Sequence, residues 1–387
     1  MLNKRILVAG CFGYIGNALC QRLLLEGYDV FGIDNFSRIK SVKEVGSYSA
    51  IKQPSPANHV KSFKELGNFQ FNNFDVSKNY KWLLRIMKKF KPSTIVNLAH
   101  QPSAPYSQID QKHGEYSLLN NILTTNNFLW AINELNPNIH YTTIGSTGEY
   151  SHYSNIDIAE GYFKVSYNGR NSNEMLYPRQ ANSIYHASKI SSLYVTEYLT
   201  RIWKLKTTEA EQSVVFGSYT DEINKTGINS RLDTDGSFGT VINKFIVQTF
   251  LNWPMTIFGE GNHKRGFLSL QNSVDAVMLS IENQPEKGKL RIFNQLSETH
   301  SMNNLAEMIK KSAIKHGINA TTFHIPSPRK EYTGNHYYKY ETDILPSMGY
   351  KPTRTIEQEV HYIFDILSKD VPYLQGLNES INKNVEF

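Results

Sequence analysis

The sequence has few cysteines, no long apolar run and no dense block of basic residues. Its two cysteines, Cys11 and Cys20, cannot form a disulfide framework or a zinc site by their spacing, so we expect a reducing compartment and no metal. No apolar run approaches the roughly 20 residues that a membrane span needs, and no signal or transit segment precedes the first predicted strand. These absences favour a cytoplasmic protein with no membrane partner.

The charge of the chain is modest. A formal net charge of +6 over 387 residues is compatible with an anionic small-molecule substrate. Lys and Arg are not interleaved with aromatic residues as they are in nucleic-acid binders, so we expect no nucleic-acid partner. Hydrophobic residues make up 40% of the chain, which is enough for one large or two ordinary domains.

The chain opens with the order strand, glycine-rich turn, helix, strand. Residues 4–9 (KRILVA) predict a strand buried on both faces, and a helix-period segment over 17–26 leads to a second strand over 28–34. This order is typical of an α/β fold with a doubly wound parallel sheet, the Rossmann-like class. Further strands are predicted over 68–75, 93–99, 139–146, 212–217, 255–261 and 291–295, with helices over 80–90, 118–135, 183–204, 239–252, 272–283 and 302–316.

The pattern changes after Gly217 to loops with scattered helices. We therefore predict that residues 1–217 form a dinucleotide-binding domain, to which parts of 240–290 return. Residues 218–387 would form a smaller, mostly C-terminal α/β lobe that is interleaved with the first domain and binds the substrate.

The glycine-rich turn predicts a dinucleotide site. In GCFGYIG, Gly10 permits a tight turn, Gly13 lets the backbone approach a pyrophosphate, and Gly16 lets helix and strand pack closely. A tight turn alone would also explain the glycines, but Asp34 closes the next strand. A carboxylate there would hold the ribose hydroxyls and repel a 2′-phosphate, which favours NAD over NADP, although Arg38 weakens that preference.

A candidate chemical site lies in ANSIYHASKI, residues 181–190. Tyr185 and Lys189 are four residues apart in a predicted helix, so both project from one face. Ser146 ends a predicted strand and offers a hydroxyl. Tyr and Lys one turn apart also occur by chance, but here they accompany a glycine loop and an acidic strand end. A phenol beside an ammonium forms a proton-transfer pair that could deprotonate a secondary alcohol.

GxxGxxG together with YxxxK resembles the extended short-chain dehydrogenase/reductase family. The resemblance implies that Tyr185, favoured as a phenolate by Lys189 and a cationic nicotinamide, removes a sugar hydroxyl proton while hydride leaves the same carbon. Ser146 would bond the oxygen. Asp75 would face the adenine or cap the next helix. The full predicted cofactor set is Gly10, Gly13, Tyr14, Ile15, Gly16, Asp34, Asn35, Arg38, Asp75, Val76, Leu98, Asn121, Tyr185 and Lys189.

Several further segments resemble the UDP-sulfoquinovose synthase family and follow its order through nearly the whole chain. The resemblance implies UDP-glucose and sulfite as substrates. It also implies oxidation at C4, loss of water across C5–C6, addition of sulfite at C6 and return of the hydride to C4. The segments are QPSAPYSQID (101–110), STGEY (146–150), NIDIAEGY (155–162), NGR (168–170), YPRQANSIYHASK (177–189), NSRLDTDGSFGT (229–240), KRGFLSL (264–270), FNQLSE (293–298) and PSPRKE (326–331) with HYY (336–338).

The elimination step needs an acid or base of its own. Sugar-nucleotide 4,6-dehydratases place an Asp-Glu pair where this chain has Thr147 and Gly148, so a standard dehydratase is disfavoured. His186 is a candidate because its neighbour faces the site and imidazole titrates near pH 7; alternatively it only hydrogen-bonds the backbone. Glu149 and Gln101 are further candidates for this step.

The substrate would be held by fixed charges and polar residues. Arg265 and Arg329 suit a diphosphate, and the remaining candidates lie mostly in the family-like segments. The predicted substrate-binding set is Gln101, Ser103, Arg170, Gln212, Arg231, Thr240, Asn243, Arg265 and Arg329.

Three positions depart from the family. Ser146 stands where members usually have Thr, and Glu211 where they have Asn. Pro102 replaces an Arg, so a sulfur-donor site that used this Arg would differ here.

Two alternatives stay open. One is a UDP-glucose 4-epimerase or a related UDP-sugar enzyme; the other is a non-catalytic NAD-sensing regulator. Family membership also implies a homodimer through the helices at 121–135 and 185–204.

Overall fold

A computed structural model describes residues 4–150, 156–327 and 339–377. The strands are, in chain order, β1 (Arg5–Ala9), β2 (Asp29–Asp34), β3 (Phe69–Asn73), β4 (Thr94–Asn97), β5 (His140–Ser146), β6 (Tyr162–Phe163), β7 (Ser166–Tyr167), β8 (Arg170–Asn171), β9 (Met175–Leu176), β10 (Lys206–Gln212), β11 (Val214–Phe216), β12 (Met255–Phe258), β13 (Lys264–Ser269), β14 (Arg291–Gln295), β15 (Glu298–Ser301) and β16 (Thr322–Ile325).

The α-helices are α1 (Tyr14–Leu25), α2 (Ser37–Glu44), α3 (Pro56–Leu66), α4 (Tyr80–Phe90), α5 (Gln111–Leu135), α6 (Ile184–Trp203), α7 (Asp221–Thr226), α8 (Val241–Phe250), α9 (Leu270–Glu282), α10 (Met302–Lys315), α11 (Ile344–Ser347), α12 (Ile356–Leu367) and α13 (Val371–Gly376). A 3₁₀ turn at Thr147–Glu149 follows β5 directly.

Seven strands form the main sheet in the order β14-β10-β5-β4-β1-β2-β3. Every pairing in it is parallel. The order reverses at β1 and β4, so the crevice outside their carboxyl ends is where a doubly wound sheet binds its ligand. The predicted Rossmann-like fold is confirmed.

Alternate residues of β1 explain how both faces of the sheet are covered. Ile6 and Val8 belong to a core with α1, α3 and α9 on one face. Leu7 and Ala9 belong to a second core with α4 and α5 on the other. Because successive strand side chains point to opposite faces, an unbroken apolar strand needs helices on both sides.

A third core lies in the C-terminal half of the sequence. Phe216, Leu232, Phe245, Ile309 and Phe364 are buried together between α8, α10, α12 and the strands beside them. In sequence, α9 and β14 fall within this region, yet α9 packs on the main sheet and β14 is its edge strand. The chain therefore crosses between the two layers more than once.

The sequence missed one strand of the main sheet. It indicated a strand over 212–217, and β11 (Val214–Phe216) lies there but pairs with β13 in a separate three-stranded sheet. The main-sheet strand that precedes it, β10 (Lys206–Gln212), was not predicted. Polar residues fill β10 (KTTEAEQ) although it is buried, so it has no apolar signature. In the described segments, every helix is too short or too polar to span a bilayer.

Candidate active site

A cavity of about 490 Å³ opens at the carboxyl edge of the main sheet. Its walls come from the ends of β1, β2, β4, β5 and β10, the start of α6, and the segments at residues 231–243 and 265–266. The cavity therefore lies at the point where the strand order reverses. Both halves of the sequence contribute to it.

The glycine-rich turn forms one wall of the cavity. Gly10 has φ of 78°, and a Cβ there would lie 2.5 Å from the carbonyl oxygen of Leu98. A Cβ at Gly16 would overlap the carbonyl oxygen of Gly10. No side chain caps α1 at Gly13, so the first amides of this helix are available to a phosphate. All five predicted residues of this turn, Gly10, Gly13, Tyr14, Ile15 and Gly16, line the cavity.

Asp34 ends β2 at the edge of the same cavity. One carboxylate oxygen accepts the N–H of Phe12 at 2.9 Å and the other accepts the N–H of Phe36 at 2.8 Å. Burial raises the pKa of Asp34, and these backbone donors oppose the rise. The glycine cradle, the open helix end and this carboxylate fit the pyrophosphate and ribose of a dinucleotide.

A pair of arginines closes the wall beside Asp34. Arg38 bonds one oxygen of Asp233 at 2.8 Å, and Arg231 bonds the other at 2.8 Å. The Arg38 guanidinium also lies 3.9 Å from the ring centroid of Phe238. Burial raises the pKa of Asp233, but the two guanidinium groups hold it below its usual value. Arg38 and Arg231 both line the cavity, and each is already paired with a carboxylate.

Four further cofactor candidates line the cavity, whereas Asn121 does not. Asn35, Asp75, Val76 and Leu98 line the cavity. Asp75 accepts bonds from Ser77 in a turn. The N-cap of α4 is Asn79, so the helix-cap alternative for Asp75 was wrong.

Asn121, which the sequence places in the cofactor-binding set as a residue that supports the cofactor, does not line the cavity. It is fully buried and its amide bonds both backbone groups of Gln101, at 2.7 and 3.1 Å, and the Ser188 hydroxyl at 2.8 Å. Asn121 therefore ties the loop after β4 to α6. Its neighbours Asn120 and Thr124 line the cavity instead.

Ser146, Tyr185 and Lys189 all line the cavity, as predicted. Lys189 donates from Nζ to the carbonyl of Ile144 at 2.5 Å and contacts Nδ1 of His100 at 2.8 Å. Burial lowers the pKa of Lys189, and nearby carboxylates, Glu149 first, oppose that shift. Burial raises the pKa of Tyr185, as does Glu149, whereas a hydrogen bond with Ser146 lowers it.

His186 faces the cavity beside Gly148. Its Nδ1 lies 3.0 Å from the hydroxyl of Ser183, the N-cap of α6. A Cβ at position 148 would overlap Nε2 of His186. The imidazole therefore occupies the space that a side chain at 148 would otherwise fill.

Glu149 lies behind the cavity wall, which corrects its predicted place as a group in contact with substrate. It is completely buried, and Oε1 accepts the N–H of Ser146 at 2.8 Å. This bond closes a capping box in the 3₁₀ turn, so the side chain points back into the protein. Glu149 thus holds the backbone of Ser146.

The substrate candidates also divide. Those that line the cavity are Ser103, Gln212, Arg231, Thr240, Asn243 and Arg265. Gln101 and Arg170 do not line the cavity, and Arg329 lies outside the described residues. The amide of Gln101 bonds Ser103 and Ser117 at 3.0 and 2.7 Å within its own loop, and Arg170 is exposed in the β7–β8 hairpin.

Sequence reasoning missed several polar residues of the cavity. His100 contacts Lys189, as described, and also lies 3.0 Å from Thr125. Asn182 and Ser213 each have a buried polar side-chain atom with no partner among the described residues, as Thr240 does. Such atoms in a cavity wall suit a polar ligand. Position near a motif was the only signal for Asn182, three residues before Tyr185.

These features define a dinucleotide-dependent enzyme that acts on an alcohol. The model of the NAD dependent epimerase/dehydratase family matches residues 6–294, and the chain belongs to this family. Its cofactor is NAD.

Three known proteins are similar to the chain. It is 36% identical to the UDP-sulfoquinovose synthase of Sulfolobus acidocaldarius over 95% of this chain and 93% of that enzyme. It is 35% identical to the chloroplastic UDP-sulfoquinovose synthase of Spinacia oleracea over 90% of this chain and 72% of that enzyme. In fold it is similar to the UDP-glucose 4-epimerase of Thermotoga maritima, with a TM-score of 0.72, 18% identity and coverage of 95% and 99% of the two chains.

Proposed function

We propose that the chain makes UDP-sulfoquinovose and water from UDP-glucose and sulfite. The observation that carries the proposal is the group Ser146–Tyr185–Lys189 in one cavity, with His186 in the space of a missing side chain at Gly148. Similarity to the two UDP-sulfoquinovose synthases over most of the chain supports the substrate pair.

NAD would be held by the glycine turn, the open end of α1 and Asp34, with Asn35, Val76 and Leu98 on the neighbouring walls. Bound there, it supplies the hydride acceptor and later the hydride donor at C4. The carboxylate of Asp34 would repel a 2′-phosphate, which agrees with the NAD dependence of the family.

Tyr185 would act as the base at the 4-hydroxyl. Its phenolate is disfavoured by burial, and the hydrogen bond with Ser146 opposes that effect. The ammonium of Lys189, 6.0 Å from the centroid of the Tyr185 ring, would favour the phenolate as well. The hydroxyl of Ser146 would donate a hydrogen bond to the oxygen as it becomes a carbonyl. Glu149 accepts the N–H of Ser146 and so holds this residue in place. In the final step Tyr185 would return its proton to the same oxygen.

His186 would serve the C5–C6 step. A 4-keto group acidifies the C5 proton, and a group on the cavity wall must accept that proton before the C6 hydroxyl leaves as water. His186 is suited to this because it lines the cavity and its ring is oriented by Ser183. Addition of sulfite at C6 then replaces the lost hydroxyl.

The nucleotide half of the substrate would lie against the C-terminal segments. Thr240 and Asn243, at the start of α8, and Arg265, in β13, supply polar and charged groups to the wall. We accordingly propose that residues 1–217 hold NAD and that 218–387 hold most of the UDP-sugar.

We also propose a homodimer and a cytoplasmic location. An apolar face on α5 and α6 supports the dimer and is described in the Discussion. The two thiols, Cys11 and Cys20, are buried and not joined to each other, which suits a reducing compartment.

The proposal is tested by incubating the protein with NAD, UDP-glucose and sulfite and analysing the nucleotides by mass spectrometry. We expect a sulfonated sugar nucleotide that requires both UDP-glucose and sulfite. UDP-galactose formed with no sulfonated product would instead identify a 4-epimerase. A protein that binds NAD but forms neither product would favour the regulator alternative.

A further inference from the structure

Three glutamates are buried together directly behind the Ser146 wall. Glu149, Glu209 and Glu211 are 0–1% exposed, and one carboxylate oxygen from each lies within 4.8 Å of the others. Glu209 and Glu211 are alternate residues of β10 and so share a face of the sheet. Gly145, paired with Glu211 in β5, leaves them room, because a Cβ there would overlap Glu211 and lie 3.0 Å from Oε1 of Glu209.

Two cations face this cluster. Arg179 bonds Oε1 of Glu211 at 3.0 Å and lies 3.9 Å from the ring centroid of Tyr150. Lys189 is the other cation, and all three carboxylates affect its pKa. In the described part of the chain, one oxygen of each glutamate and Nε of Arg179 lack a hydrogen-bond partner.

The charges do not balance as they stand. Three carboxylates carry three negative charges, whereas Arg179 and Lys189 carry two positive ones. An uncompensated charge in the interior is costly, and buried groups commonly neutralise by changing their protonation instead. One proton on the carboxylates makes the cluster neutral.

We propose that Glu209, Glu211 and Arg179 are positioning residues for the Ser146–Tyr185–Lys189 site, and that the three carboxylates share one proton, held mainly by Glu209. The positioning role of these residues rests on the proposed function, but the presence of the shared proton does not. The cluster keeps Lys189 charged in a buried position and keeps Glu149 on the amide of Ser146. It does so without placing a carboxylate against the substrate.

Geometry selects Glu209 as the holder of the proton. Glu211 is paired with Arg179, and Glu149 accepts the N–H of Ser146, so each has a donor that favours its carboxylate form. Burial opposes these bonds and raises the pKa of both groups, that of Glu149 well above its usual value. No hydrogen bond of Glu209 to a cation is present among the described residues. Burial, and then the charge of Glu211, raise the pKa of Glu209 to about 8.

The sign of the pH effect follows. Below about pH 8 Glu209 is protonated and the cluster is neutral; above it a third negative charge appears. The other charged or titratable groups near the cluster are Tyr185 and Lys189 on α6, His100 after β4, Arg179, and Tyr141 and Tyr150. The added negative charge raises the pKa of Tyr185 and so opposes its phenolate.

Infrared difference spectroscopy tests the proton without substrate or turnover. Glu359 could contribute a similar signal, because burial raises its pKa to about 8 as well, so its variant is measured as a control. At neutral pH we expect the wild-type protein to show an absorption band of protonated carboxyl groups that shifts in D₂O and decreases above pH 8. Glu209→Gln should remove one component of this band, and Glu359→Gln should remove a different component. If Glu209→Gln removes no protonated carboxyl at pH 7, the proposal is overturned, whatever reaction the protein catalyses.

Turnover tests the positioning role. Gln mimics the shape and the neutral charge of a protonated Glu, so at pH 7 Glu209→Gln should lower kcat far less than the loss of a charged member of the cluster does. The double variant Glu209→Gln/Glu211→Gln removes a true negative charge and leaves Arg179 unpaired. It should lose more than about a hundredfold in kcat and move the pH profile to lower pH.

Glu222→Gln is the matched control, because Glu222 is also buried against an arginine, Arg22, but lies away from the cavity. It should leave both kcat and the pH profile unchanged. Thermal unfolding of each variant measures the purely structural cost. The proposal fails if Glu209→Gln loses as much activity as the double variant, or if the pH profile of the double variant is that of the wild type.

Discussion

At the scale of single residues, Tyr185 carries the proposed chemistry. Its phenol is buried at the cavity wall, where the hydrogen bond with Ser146 lowers its pKa and the nearby ammonium of Lys189 would favour the phenolate. Tyr185→Phe should therefore lower kcat about 10²–10⁴-fold, the usual worth of a positioned acid–base group, with NAD binding retained. Tyr167→Phe, on an exposed hairpin, is the control and should leave steady-state kinetics unchanged. Wild-type turnover by Tyr185→Phe would contradict the assignment.

His186 should be separable from Tyr185 by half-reactions. His186→Asn removes the proposed C5 base but leaves the 4-hydroxyl site intact. With UDP-glucose alone, we expect oxidation at C4, read as reduced-cofactor absorbance, without formation of the sulfonated product when sulfite is added. Tyr185→Phe should abolish both readouts. Equal loss of both in His186→Asn would argue against a separate role.

Gly148 offers an independent test of the same position. A Cβ at 148 would overlap Nε2 of His186, so Gly148→Ala should displace the imidazole and reproduce the His186→Asn phenotype. Ala at Gly376, where a Cβ meets nothing within 4 Å, is the control for adding a methyl group. If Gly148→Ala supports normal sulfonation, His186 does not work from the observed position.

The sequence could predict Tyr185 and Lys189 because one helical turn fixes their common face. It could not predict which way an isolated polar side chain turns. Glu149 follows Ser146 by three residues, but its capping bond directs it into the protein. The side chain of Asn121 bonds the backbone of Gln101, and neither side chain lines the cavity.

At the scale of elements, apolar strands were predictable and β10 was not. β1 (RILVA) is buried and almost entirely apolar, and β4 (TIVN) has two apolar residues at its centre, so both are visible in the sequence. The residues of β10 are buried but mostly polar, because the strand carries Glu209 and Glu211 for the cluster behind Ser146. Because the side chains of β10 are polar, the strand lacks the run of apolar residues that identifies a central strand in a sequence.

The turn between β1 and α1 has a sharp requirement for glycine at 16. Because a Cβ there would overlap the carbonyl of Gly10, Gly16→Ala must shift α1 away from β1. We expect NAD affinity to fall by more than about tenfold and stability by about 1–3 kcal/mol, the usual range for overpacking. Cofactor titration and thermal unfolding measure these two effects, with Gly376→Ala as the control. Unchanged NAD affinity would show that the turn does not hold the cofactor.

At the scale of the whole molecule, α5 and α6 pack side by side and expose an apolar face. Its residues are 38–54% exposed. They recur at helical spacing on both helices, and exposed apolar residues grouped in this way typically mark a protein interface. The face consists of Leu119, Leu123, Trp130, Tyr194, Tyr198 and Ile202.

We predict that this face forms the homodimer. Leu123→Asp should convert a dimer to a monomer in sedimentation equilibrium, because a charge would be buried at the interface. Ile314→Asp places the same charge on α10, where the side chain is 70% exposed, and should not change the mass. A wild-type protein that sediments as a monomer would contradict the prediction.

The cavity wall shows why the complete site was not predictable. Arg38 and Arg231 meet at Asp233, so residues 195 positions apart form one ion-paired surface. Local patterns place motifs on strand ends, and the parallel sheet then gathers these ends at one edge. Contacts between the two halves of the sequence depend on packing, which no local pattern records.

The central claim is that oxidation and reduction at C4 enclose a substitution at C6. The most direct test is turnover of UDP-glucose deuterated at C4 in the presence of sulfite, with the product analysed by mass spectrometry and NMR. Our account predicts a product that is sulfonated at C6, keeps the deuterium at C4 and retains the gluco configuration. A sulfonated product that has lost this deuterium, or deuterated UDP-galactose as the sole product, would contradict it.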